Sequence, residues 1–252
     1  MALIQATIQT LRPPVTDWAT DWPRGQASRL DDHTALARLK AAPGLVSLDS
    51  QQELFAQDDP IRHCYEVVSG CLRTVRLMED GRRLVGGFLM PGALLGFEAR
   101  ALHDFAAQAV RATTLRSFSH TEIATMAAKD PGFGQFLWHH ASDALRREHE
   151  HMLLLGRKTA MERVASFLRD MAVRAGQNAS GPIALPMCRT DIADHLGLTV
   201  ETVSRTMTQL RRAWVIDILP GRIVILNRAA LDHGAADQLA HETLNAEPIR
   251  SV

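Results

Sequence analysis

The chain has 252 residues, 46% of them hydrophobic, enough for one large domain or two small ones with real cores. Its 28 Lys and Arg balance 28 Asp and Glu, and three cysteines are too few for a disulfide framework. The longest apolar stretch, residues 84–97, is 14 residues interrupted by Pro91 and glycines, short of the ~20 that a membrane helix needs. No cationic start leads into an apolar run, so no secretory leader is expected, and the predicted location is cytoplasmic.

Residues 1–30 carry Pro13, Pro14 and Pro23 with few large aliphatics after Leu11, and read as a loosely ordered N-terminal arm whose Trp18 and Trp22 dock on the body. Leu36 and Leu39 allow a short helix over 31–41. From Leu45 to about Thr121 the pattern is β. Tyr65, Val67 and Val68 run into Gly70. Leu72, Val75 and Leu77 then meet the hairpin signal Asp80–Gly81, and Leu84, Val85 and Phe88 return. Pro91–Gly92 turns the chain again, and residues 109–115 and 117–118 give further short strands. Short strands at regular turn spacing suggest a small double-sheet jelly roll.

Pro131–Gly132 opens a long helical segment. Trp138, Ala141, Leu145, Glu148, Met152 and Leu155 recur at spacings of 3, 4, 3, 4 and 3, a heptad seam that is apolar at all positions but Glu148. A helix packing only on its own roll would explain part of this pattern, and a parallel pairing with a second copy would explain all of it. In such a pair Glu148 would face its twin and oppose association. Of the histidines on this helix, His139, His140, His149 and His151 are expected to be solvated.

A further helix over 158–175 stops at Gly176–Gln177–Asn178, and Leu185–Pro186 leads into the stretch with the most specific spacing, CRTDIADHLGLTVETVSRTMTQLRR, residues 188–212. Ile192, Ala193 and Leu196 supply the inner face of a first helix. Gly197 permits a left-handed turn that a Cβ would resist. Thr199 can cap a second helix, which Val203, Met207 and Leu210 pack down. A small residue, a glycine four on and a β-branched residue six further is the spacing of a DNA-binding helix-turn-helix. The outer face of the second helix carries Glu201, Ser204 and Arg205, suited to cytosine N4, to a permissive contact and to guanine O6 and N7 respectively. Residues 216–219, the turn Pro220–Gly221 and residues 223–226 then read as a hairpin wing. Residues 157–228 hold 11 Lys and Arg against 6 Asp and Glu, so the C-terminal part is basic although the whole chain is neutral.

TVETVSR, with LPMCRTDIADHLGL before it and MLLLGRKTAMERVASFL over 152–168, resembles the FNR and FixK branch of the cyclic-AMP receptor protein/FNR (CRP/FNR) family of transcription factors, and within it FixK-type regulators. The resemblance covers residues 45–228. It implies an α+β chain: a β jelly-roll sensor domain like those that bind cyclic nucleotides (31–131), a dimerisation helix (132–156), a winged helix-turn-helix (157–228) and a C-terminal tail (229–252). It further implies a homodimer on double-stranded DNA, an activator contacting RNA polymerase, and genes of low-oxygen respiration, denitrification or nitrogen fixation. Arg189, Thr199 and Thr202 are expected at helix starts or against the DNA backbone. Cys188 falls in the N-cap slot of the first helix beside Arg189, where helix dipole and guanidinium favour a thiolate, the form that peroxide attacks.

No cofactor or metal is expected. The family's pocket segment is matched by Gly96–Phe97–Glu98, but its phosphate-binding Arg–Ser pair falls on Ala106–Ala107, and a buried phosphate without a cation is costly. With no cysteine before Cys64, the chain lacks the thiolates of an iron–sulfur cluster. His63, His103 and His120 are too dispersed for a cupin-type metal enzyme. The alternative is a ligand-gated regulator holding haem or another small effector in the roll.

Overall fold

The computed structural model describes residues 44–97, 100–174 and 182–232. The arm over 1–30, the short helix over 31–41, Glu98 and the tail beyond 232 lie outside the described residues.

Two long strands organise the N-terminal domain: β3 (His63–Leu77) and β6 (Ala106–Ser119) pair antiparallel from His63↔Ser119 to Val75↔Ala106. Around them β1 (Leu45–Leu48) and β2 (Glu53–Phe55) pair with β6, and β4 (Arg83–Leu89) and β5 (Leu94–Leu95) pair with β3, giving a six-stranded antiparallel sheet. The expectation of separate short strands is corrected here. Gly70 does not end a strand but sits at φ +91° in a bulged stretch where the β3–β6 register shifts repeatedly. A Cβ at Gly70 would lie 2.4 Å from Thr113 Oγ1 and 2.5 Å from Ala112 O, so only glycine lets the strands approach there. Bulges bend both strands and let one sheet curl round an interior of Leu48, Val67, Leu72, Leu95, Ala107, Ala109 and Leu115.

Ser119 caps α1 (His120–Lys129) in a reciprocal capping box with Glu122, and Asp130 caps the long helix α2 (Pro131–Arg157), with Pro131 at its first position. Phe133 and Phe136 bury the start of α2 against Cys64, Phe118 and Ile123. Helix α3 (Ala160–Arg174) buries Val164, Ala165, Phe167, Leu168, Met171 and Ala172, one continuous stripe at helical spacing. Next come β7 (Pro182–Ala184), α4 (Arg189–Leu196), α5 (Val200–Arg212), β8 (Ile216–Leu219) and β9 (Arg222–Ile225). The wing is a three-stranded sheet in the order β7-β9-β8, one strand more than the expected hairpin. The C-terminal domain also reaches past the expected boundary at 228: helix α6 (Arg228–Asp232) buries Ala230 and Leu231 in the core.

The two domains share one apolar core. Cys71, Val75, Val85, Phe88 and Val110 of the roll cluster with Phe167, Leu168, Ile192 and Leu196 of α3 and α4. Burial pushes the Cys71 thiol up to about 12, which suits an inert packing residue. The interior of β3 and β6 thus fills the roll, while residues of the opposite face, at period two, receive the C-terminal domain.

Candidate DNA-binding site

Local chemistry builds the helix-turn-helix. Cys188, exposed and in extended backbone, caps α4, its Sγ accepting from the Asp191 N–H at 3.5 Å. Gly197 ends α4 at φ 61° and ψ 43°, its N–H donating to Ala193 O. Leu198 N–H also donates to Ala193 O, at 3.0 Å, which closes the turn. Thr199 caps α5, its hydroxyl accepting from Thr202 N–H at 3.2 Å. Val203, Thr206, Met207 and Leu210 are buried, and this fixes the rotation of α5 about its axis.

The opposite face of α5 presents Glu201, Ser204 and Arg205, all exposed. The Glu201 backbone N–H, and then the Thr199 hydroxyl, hold the Glu201 carboxyl below the usual carboxylate range, so at neutral pH it can only accept hydrogen bonds. Thr202 is half-buried at the first turn and Thr199 exposed at the cap. Arg189 is half-buried at the start of α4; one of its guanidinium nitrogens is buried without a hydrogen-bond partner among the described residues, and burial lowers its pKa.

Arg163, which the sequence did not mark, ties three elements together. Its guanidinium donates to Leu155 O at the end of α2 (2.8 Å), to Lys158 O (2.9 Å) and to Leu196 O at the end of α4 (3.0 Å). Carbonyls at helix ends lack intrahelical donors, and a cation there also answers the negative end of the helix dipole.

On α2 the inner face is Phe133, Phe136 and Leu154, and the heptad residues point away from it. Trp138, Leu145 and Met152 are about 60% exposed, Ala141 and Glu148 are exposed, and Leu155 is half-buried near Gly197. So the structure leaves five of the six seam positions uncovered in the single chain. The expectation of four solvated histidines is corrected for two. His139 and His149 are exposed, but His140 is half-buried against Phe136, and the half-buried His151 stacks on His195 of α4 with centroids 4.2 Å apart.

A second feature escaped the sequence. Arg73 Nη1 donates to both carboxylate oxygens of Asp191 at 2.9 Å, and Arg83 bridges Asp191 (2.9 Å) and Asp194 (2.6 Å). These pairs join the β3–β4 hairpin of the roll to α4. Their other polar links run the same way: His195 Nδ1 donates to Val85 O at 3.0 Å, and Arg174 donates to Phe88 O at 2.9 Å.

Within the roll, Ala106 and Ala107 are buried, and Gly96 stands at φ +79°. His63 is exposed, His103 stacks on Phe55 at 3.6 Å, and His120 Nε2 lies 3.6 Å from Cys64 Sγ. Among the described residues no group of three His, Cys, Asp or Glu side chains is placed to hold a metal, and no helix is long and apolar enough to cross a membrane.

A β-roll, a long helix with an uncovered apolar seam and a winged helix-turn-helix with a polar reading face define a DNA-binding transcription regulator. Comparison with known proteins gives the same class. Residues 45–130 match the cyclic nucleotide-binding domain profile, and residues 162–233 match the Crp-like helix-turn-helix domain. The chain is 41% identical over 223 residues to the nitrogen fixation regulation protein FixK of Azorhizobium caulinodans, covering 86% of this chain and 89% of that one. It is 39% identical over 193 residues to FixK of Rhizobium meliloti, covering 77% and 87%. The solved structure of FixK2 from Bradyrhizobium japonicum matches with a TM-score of 0.72 at 39% identity, over 77% of this chain and 97% of that one. The chain belongs to the CRP/FNR family of transcription regulators, as a FixK-type member.

Proposed function

We propose that this regulator acts in the cytoplasm as a homodimer that binds the palindrome TTGA(T)-N4-(A)TCAA and activates transcription by contacting RNA polymerase. The observation that carries the reading is the division of α5. Val203, Met207 and Leu210 are buried beneath an exposed face of Glu201, Ser204 and Arg205. These are the residue types and the order with which the FNR branch reads TTGA half-sites. Arg205 grips guanine O6 and N7, Glu201 accepts from cytosine N4, and Ser204 packs beside them. Val200 stands where cyclic-AMP receptor proteins carry an additional arginine, so their further G·C preference is absent here. Arg189, Thr199 and Thr202 meet phosphates at the helix starts.

The α2 seam of Trp138, Ala141, Leu145, Met152 and Leu155 pairs with that of a second copy, with Glu148 as its weak point. The target genes are those of low-oxygen respiration, denitrification or nitrogen fixation; the last agrees with the name of the FixK relatives, nitrogen fixation regulation proteins. Cys188 modulates binding. It is exposed at the α4 N-cap, and an oxidised, anionic sulfur there would lie beside DNA phosphate.

Selection of bound duplexes from a random library, with sedimentation to count protomers, tests the reading. The expected outcome is a two-fold consensus with half-site centres about 10 bp apart, bound by a dimer. An unrelated consensus, or tight binding by a monomer to one half-site, would overturn it.

A further inference from the structure

The junction between the roll and α4 is more tightly specified than domain packing requires. An apolar contact such as Val75, Val85 and Phe88 against Phe167, Ile192 and Leu196 is non-directional and tolerates small rotations. The rim of that contact does not. The Arg73 and Asp191 side chains are only 8% and 2% exposed, and the one nitrogen Nη1 of Arg73 meets both carboxylate oxygens while the rest of the guanidinium is committed to other partners. Gln51 and Gln108 hold Arg73 from behind, at 2.7 Å and 3.1 Å. Arg83 adds a second arm, one helical turn along α4, through Asp194. Asp191 occupies the third position of α4, from which an acidic side chain ordinarily reaches back to the helix cap; here it is given over to the roll. Two cations and two anions neutralise one another, as buried charge demands.

The orientation so fixed is the one that matters on DNA. If two copies pair along α2, the separation of their α5 helices is set by how each helix-turn-helix is rotated against its own roll. A palindrome offers its half-sites about one helical turn apart.

We infer that Arg73, Arg83, Asp191 and Asp194 determine spacing specificity: the ion-pair clamp holds α4 and α5 at the angle that admits one spacer length and rejects others. The inference rests on the homodimer-and-palindrome reading above, but it assigns a role to residues that lie neither on the α2 seam nor on the exposed face of α5. These are positioning residues, and their signature is the ratio of affinities for different spacers rather than affinity itself.

The test uses the full-length native protein, Arg83→Gln, Asp194→Asn and Asp191→Asn. Each is titrated by fluorescence anisotropy, at one salt concentration, against TTGAT-N4-ATCAA and against duplexes with spacers one nucleotide shorter, one longer and two longer. Native protein should prefer the four-nucleotide spacer strongly. The variants should lose about tenfold of that preference, by weaker binding to the favoured duplex and undiminished binding to the others. Asp191→Asn leaves two guanidinium groups short of charge in a buried place. If it fails to fold, Arg83→Gln carries the test, because its side chain is 28% exposed and its loss keeps the Arg73–Asp191 pair. Arg83→Lys should recover part of the preference. Equal weakening on every spacer would make the clamp merely structural and overturn the inference, as would unchanged ratios. If the native protein itself shows no spacer preference, both the palindrome reading and the inference fall. If it shows one that the variants keep, only the inference falls.

Discussion

The imidazole of His195, on the first helix of the helix-turn-helix, lies parallel to that of His151 on the long helix, 4.2 Å between centroids and 11° between planes. Phe88 and Phe167 meet His195 edge-on, and its Nδ1–H is committed to Val85 O. Burial first, and then the proximity of His151, lower the His195 pKa to about 4; burial lowers that of His151 as well. The pair is therefore neutral in the folded protein at pH 7, and joins the long helix, the roll and the DNA-binding domain as an apolar contact would.

An unfolded His195 takes up a proton near pH 6.5 and the folded one only near pH 4, so below 6.5 the unfolded state binds more protons. Stability from this site is complete above pH 6.5 and is lost as pH falls toward 4, by on the order of 3 kcal/mol at the acid end. The urea midpoint of the native protein should fall between pH 7.5 and 5. His195→Gln should show a smaller fall over the same range, whatever its stability at pH 7.5. Equal falls would place the acid sensitivity elsewhere.

Glu148 is exposed on the same edge of α2 as Trp138, Leu145 and Met152. In a parallel pair two carboxylates would approach across the seam. Glu148→Leu should tighten the dimer by roughly tenfold and raise DNA affinity at low protein concentration, as sedimentation at several concentrations can show. An unchanged dimerisation constant would place Glu148 outside the interface.

Trp214 follows the recognition helix in left-handed backbone at φ 55°, with 78% of its surface exposed. A bulky side chain there carries about 1–2 kcal/mol of strain and gains little burial in return. Trp214→Gly should stabilise the protein by about 0.5–1 kcal/mol after the greater freedom of glycine in the unfolded chain is subtracted. Trp214→Ala, which keeps a Cβ, should gain much less. Denaturant midpoints for the three proteins decide this.

Cys188 separates stability from binding. Aspartate is a stronger N-cap than cysteine, so Cys188→Asp should be at least as stable as the native protein. On the proposed reading, in which phosphate approaches this cap, it should bind DNA poorly. Peroxide should weaken DNA binding by the native protein, and Cys188→Ala should resist it. If peroxide inactivates Cys188→Ala equally fast, the exposed thiol is not the sensitive group.

The legible parts of the sequence were those in which local chemistry decides local structure. The turn at Gly197, the caps at Cys188 and Thr199 and the buried stripe of Val203, Met207 and Leu210 all lie within 25 residues, and the structure has each of them. The heptad seam was visible for the same reason. Gly70 misled because glycine in a β pattern signals either a turn or a bulge, and only its partner Thr113, 43 residues on, distinguishes them. Strand β7 is three residues long and exists through its pairing with β9, so it left no periodicity to find. The clamp was hidden more deeply. Arg73 and Asp191 are 118 residues apart, and each taken alone looks like a solvated charge. One signal was available: Arg73 stands between Cys71 and Val75 on one face of a strand, where a charge among apolar neighbours asks for a partner. The stacked His151 and His195 gave no comparable sign, since each sits on a helix edge next to ordinary polar residues.

If the exposed face of α5 reads DNA bases, as proposed, Arg205 is the residue at which that reading can be measured. Binding of the native protein and Arg205→Ala should be compared on TTGAT-N4-ATCAA and on the duplex with the guanine of each half-site replaced by adenine. The native protein should lose about 1–3 kcal/mol per half-site on the replacement, while Arg205→Ala should bind both duplexes equally and weakly. If Arg205→Ala still discriminates between the two duplexes as strongly as the native protein does, the guanine is read by another residue and Arg205 does not have the proposed role.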